Sequence, residues 1–221
     1  MRRLAVVAAA GLAVATFVIG PSLVLASPPK ASAPGCARGY SYGGFASRDG
    51  VSGIAASISA ARLPVVSSGH AAAWVGVGGI HEGRGGANAW LQAGVAAFPH
   101  TGLRLYVEEV SLGKARQFFD LGRAAVGRSY RVAVVETGHD VWQATVDGRT
   151  VGRPAYLPTG GGSWRGVTTA ESWAAGRASC NRYGYRFENV STLHGTWSPL
   201  ARTQAIGNGV TRSASGFAAA S

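Results

Sequence analysis

The stretch Ala71 to Val95, AAAWVGVGGIHEGRGGANAWLQAGV, constrains this chain more than any other. It holds two apolar runs, 71–77 and 89–95, joined by a glycine-rich connection. Side chains alternate across a strand. Trp74, Gly76 and Gly78 therefore share one face, and Val75 and Val77 the other. In the second run Trp90, Gln92 and Gly94 lie opposite Leu91, Ala93 and Val95. One face of each run reads as core. The other offers an indole, a floor of glycine and one amide, which suits a groove better. An amide within an apolar strand needs a partner, because burying it unpaired is costly.

The rest of the chain repeats the strand signal. Val51–Ala61, Leu103–Val110, Arg116–Gly122, Tyr130–Val135, Val141–Val146, Trp164–Trp173 and Tyr183–Val190 are short runs punctuated by glycine and proline. Tyr40–Phe45 reads as an edge strand, and Asp147-Gly148 as the tight turn of a hairpin. A sustained 3.6-residue period is confined to the N-terminus. The expectation is an all-β, single-domain antiparallel β-sandwich or jelly roll over 40–200. Residues 27–39 read as a linker, Gly160-Gly161-Gly162 as a flexible break, and the Ser/Ala/Gly-rich 201–221 as a flexible C-terminal tail.

Arg2 and Arg3, the apolar run Leu4–Ile19, Pro21 and the small residues near Ala26 have the layout of a signal peptide over 1–26. The expectation is a secreted protein with no membrane span in its mature form. Loss of that leader removes two arginines and no acid, taking the formal charge from +11 to +9. Such an excess favours contact with an anionic cell envelope. The arginines are scattered, and no nucleic-acid-reading motif is present, so no specific nucleic-acid partner is expected. Two cysteines, Cys36 and Cys180, in an exported chain read as a disulfide. The histidines are dispersed, and neither a metal nor another cofactor is called for.

With only ten acidic residues, each can be weighed. Most sit in turns or at strand ends. Glu108 and Glu109 are adjacent and so point to opposite faces, while Glu171 shares its face with Thr169 and Trp173. A carboxyl on a groove face can activate water, and an amide such as Gln92 can stabilise the oxyanion that forms. Spacing leaves the plainer alternative open: Glu171 as an edge carboxylate paired with an arginine, and Gln92 as a satisfied polar core residue.

The order of AAAWVGVGG, WLQAG, LYVEEV, the GRSYRVAV…DVWQATVDGRTVG hairpin and TAESW resembles the glutamic peptidases, the eqolisin family. The resemblance spans roughly Tyr42 to Glu188 and implies a concanavalin-like sandwich. It further implies peptide-bond hydrolysis, with Glu171 as general base and then acid and Gln92 as oxyanion donor. Trp74 would wall a substrate groove, and Trp90, Tyr106 and Trp173 would complete its aromatic lining. The substrate would be an extracellular polypeptide. Two alternatives stay open beside this: a non-catalytic module binding glycan or peptide in the same groove, and a basic cell-wall-associated structural protein.

Overall fold

The computed structural model describes residues 39–159, 163–174 and 181–221. The expected leader, most of the linker, the triple glycine at 160–162 and both cysteines lie outside the described residues.

Among the described residues there are fifteen strands. In chain order they are β1 Tyr40–Gly50, β2 Gly53–Ala60, β3 His70–Gly79, β4 Ala89–Phe98, β5 Gly102–Val110, β6 Gln117–Arg123, β7 Ser129–Gly138 and β8 Val141–Val146. They continue with β9 Arg149–Tyr156, β10 Arg165–Trp173, β11 Gly184–His194, β12 Thr196–Pro199, β13 Thr203–Gly207, β14 Val210–Arg212 and β15 Gly216–Ala220. One sheet has the order β13-β1-β10-β3-β4-β5-β6, and the other β14-β15-β11-β2-β7-β8-β9. All the pairings are antiparallel. The all-β sandwich expected from the sequence is the observed architecture.

The period-2 pattern decides which face is buried. Val75, Val77, Leu91, Ala93, Val95 and Val107 point inward from the first sheet. Ile54, Ala56, Ile58, Val132, Val134 and Phe187 meet them from the second. Burying each large apolar side chain contributes about 1.5–3 kcal/mol, so a one-residue slip, which would turn the whole set outward, is strongly disfavoured. The Asp147-Gly148 turn forms as expected. Val146 pairs with Arg149, and both turn residues take positive φ (48° and 75°), as a two-residue primed turn requires.

Two expectations are corrected. β1 is not an edge strand, because β10 pairs with one side of it and β13 with the other. The segment 201–221 is not a loose tail: β13 extends the first sheet, and β14 and β15 extend the second. Phe217 anchors it, 3 % exposed and stacked on Phe187 with ring centroids 4.3 Å apart. The tail looked loose because β13 and β14 are edge strands with mostly exposed residues, which leaves little hydrophobic signal.

Among the described residues, no helix is long and apolar enough to cross a membrane.

Candidate active site

On its outer face the seven-stranded sheet carries a second, smaller apolar cluster, formed by Ala72, Trp74, Ala96 and Tyr106. The strand register arranges this face as a grid. One row runs Tyr42, Glu171, Ala72, Ala96, Arg104. The next runs Gly44, Thr169, Trp74, Gly94, Tyr106, and a third Ala46, Val167, Gly76, Gln92, Glu108. Ala72, Gly76, Gly94 and Ala96 leave small positions on the middle strands β3 and β4, so the larger side chains around them enclose a hollow. Gly94 is required by close approach: a Cβ there would lie 2.0 Å from the Ala73 carbonyl oxygen.

Six side chains singled out from the sequence come to this face. Glu171 and Gln92 border the same cavity of about 240 Å3, together with Trp74 and Trp90. Tyr106 and Trp173 border an adjoining hollow of about 210 Å3, and Gln92, Glu108 and Arg116 touch both. Gln92 and Glu171 stand two strands and two rows apart, and each side chain reaches toward the row between them. Trp74 Nε1 donates to Glu171 Oε2 at 3.0 Å, and Gln92 Nε2 donates to Tyr106 Oη at 3.2 Å. An amide nitrogen has two protons, so the Tyr106 bond leaves Gln92 one to offer elsewhere.

Four further groups at this site were given no role from the sequence. His70 Nε2 lies 2.7 Å from Glu171 Oε1. Glu108 accepts from Trp90 Nε1 at 3.2 Å. Tyr42 pairs with Glu171 across β1 and β10, and Arg116 hangs from the β5–β6 connection over both hollows. Of these, Glu108 alone had a usable signal: alternation places it on the face of Tyr106, in the row of Gln92.

Burial shapes the electrostatics. Desolvation raises the Glu108 carboxyl above the ordinary carboxylate value; Arg116 opposes the shift and nearby Glu171 adds to it. Burial, followed by the Glu171 charge, also pushes the Tyr42 and Tyr106 phenols well above their usual range. Both phenols therefore keep their protons at physiological pH. Asn181, wholly buried, sets its amide nitrogen within 3.0–3.2 Å of the Ser68, His70 and Trp173 carbonyl oxygens, and so ties the β3 and β10 ends together beside Glu171.

On the other sheet, Glu136, His139 and Asp140 bring three potential metal-ligand atoms within 4.8 Å of one another. Glu136 Oε1 there already accepts the Asp140 amide, as ordinary turn chemistry.

No protein-family profile matches this sequence, and no curated protein matches it by sequence. Solved structures do match its fold. Scytalido-glutamic peptidase bound to a peptide-based transition-state analogue superposes with a TM-score of 0.57 at 17% identity, covering 83% of this chain and 97% of that one. SCP-B, a member of the eqolisin family solved with the tripeptide Ala-Ile-His, gives 0.52 at 15% identity, covering 83% and 98%. This chain thus has the glutamic-peptidase type of β-sandwich, as the resemblance in its sequence implied.

Proposed function

We propose that this protein is a secreted peptide-bond hydrolase of the glutamic type, acting on extracellular polypeptides. The observation that carries the reading is that Gln92 and Glu171 border one cavity, Glu171 fixed by the Trp74 indole and Gln92 with an amide proton to spare. In this reaction Glu171 takes a proton from water as the water oxygen bonds to the scissile carbonyl carbon. The carbonyl π pair moves onto its oxygen, which Gln92 Nε2–H stabilises. As the carbonyl re-forms, the C–N bond breaks and Glu171 passes its proton to the departing amine. The related folds, solved with a transition-state analogue and with a tripeptide, support a peptide as the occupant. Cleavage after residue 26 and a Cys36–Cys180 disulfide belong to the same proposal. Intact mass of the exported chain, with and without reduction and alkylation, tests both.

The test of activity is digestion of an unfolded polypeptide across pH 3–8 by wild type, Glu171→Gln and Gln92→Ala. Loss of the acid–base group is expected to lower kcat by about 10²–10⁴-fold, and loss of the amide donor by about 10²–10³-fold. Equal cleavage by wild type and Glu171→Gln excludes the mechanism.

One observation favours a second reading, a non-catalytic module that binds glycan or peptide. Tyr40 stacks on Tyr42 (5° between planes) and on Trp173 (18°), and is itself 46% exposed, which forms a platform for a sugar ring. Saturable glycan binding that Tyr40→Ala abolishes, in a protein that cleaves nothing, would establish this reading in place of the first.

A further inference from the structure

The hydrolytic reading employs Glu171 and Gln92 and leaves His70 without a task. His70 opens β3, paired with Trp173 of β10. Its ring sits among Tyr40, Phe98 and Trp173, at centroid distances of 6.2, 5.9 and 5.8 Å, on strands β1, β4 and β10. A cage of three aromatic rings is filled equally well by phenylalanine. What phenylalanine lacks is the nitrogen that this ring aims at Glu171 Oε1, 2.7 Å away, with the two side chains 18% and 8% exposed. Trp74 Nε1–H holds the other oxygen at 3.0 Å. Each oxygen of Glu171 therefore has its own partner, one the Trp74 indole and the other the His70 imidazole.

We infer that His70 is a positioning residue for Glu171, fixing the carboxyl plane at the cavity wall. The inference rests on the hydrolytic reading of this site. A glutamate side chain turns about three bonds, and a general base displaced by about 1 Å can lose roughly 10²-fold in rate. Two donors, both presented by β3 across from β10, remove that freedom. A carboxylate only accepts, so the bond is made by the ring with its proton on Nε2. The other titratable or charged groups facing this pair are Tyr40 and Tyr42 of β1, Tyr106 and Glu108 of β5, and Arg116 of the β5–β6 connection.

The experiment measures kcat and KM separately for wild type, His70→Phe, His70→Gln and Glu171→Gln on one peptide substrate. His70→Phe fills the ring cage and removes the donor; kcat is expected to fall about 10²-fold with KM little changed. His70→Gln restores a hydrogen-bond donor and should recover most of kcat. The inference is overturned if His70→Phe keeps the wild-type kcat, or if both His70 variants fall equally. Wild type cleaving no better than Glu171→Gln removes the hydrolytic reading and this role with it. Cleavage lost in Glu171→Gln but intact in His70→Phe removes this role alone.

Discussion

Trp74 and Glu171 lie one row apart on neighbouring strands, with the indole Nε1–H donating to Glu171 Oε2 at 3.0 Å. The two residues are 8% and 6% exposed, so the bond is shielded from water. Trp74→Phe keeps an aromatic ring in place but orphans that oxygen, and an orphaned buried acceptor costs about 1–3 kcal/mol. The change also removes apolar area. The informative quantity is therefore the coupling energy in a cycle with Glu171→Gln, read from urea midpoints at constant slope. A coupling near zero would mean that the indole only fills space.

Gly94 sets the floor on which that tryptophan rests. A methyl group there would meet the Ala73 carbonyl oxygen at 2.0 Å and Trp74 Cα at 2.8 Å, both backbone atoms that cannot turn aside. Gly94→Ala must push β3 and β4 apart, at a cost of about 1–3 kcal/mol or more. A lower melting temperature is expected, together with a change in indole fluorescence from Trp74. An unshifted melt would show that the strands part without strain.

The grid that Gly94 anchors also marks how far the sequence could be read. Alternation alone put Trp74, Trp90, Gln92, Tyr106, Glu171 and Trp173 on faces that prove to be one surface. The reason is that β3, β4, β5 and β10 are each buried on a clear inner face, which fixes the outer one. His70 could not be found this way. It stands just before the apolar run, and its partner is 101 positions away, so only the register pairing His70 with Trp173 brings them together. The tail failed for a related reason. A strand at a sheet edge is specified by the neighbour it pairs with, and its own composition says little.

Glu108 gives the stability of this fold a pH dependence with a definite sign. Its folded carboxyl is raised above the ordinary value near 4.5, chiefly by burial. Between the unfolded and folded values the native state holds the proton more tightly, so stability falls as pH rises through that window. The contribution is fully present below about 4.5 and is gone above the folded value. Glu109, raised by the same cause, acts in the same direction. Asp120, held low by hydrogen bonds from Arg104, acts oppositely and only on the acid side of 3.8. Urea unfolding of Glu108→Gln at intervals from pH 4 to 8 should show a shallower decline than wild type. Parallel curves would place the Glu108 carboxyl in water.

The C-terminal strands carry the last expectation. Phe217 meets Phe45 edge-on at 5.0 Å and Phe187 face-on at 4.3 Å, and so joins β15 to the core side chains of both sheets. Were 201–221 a loose tail, Phe217→Ala would be silent. Since the ring is 3% exposed within the core cluster, its loss should cost about 3–5 kcal/mol. Truncation before Val210 removes β14 and β15 and bares the β11 edge, leaving the Phe187 face open to solvent. That chain should aggregate or melt far below the full-length protein, whereas Thr211→Ala on exposed β14 should melt within about a degree of it, as surface changes usually do. Equal melting of wild type and Phe217→Ala would return the tail to a solvated appendage and end the sandwich at β12.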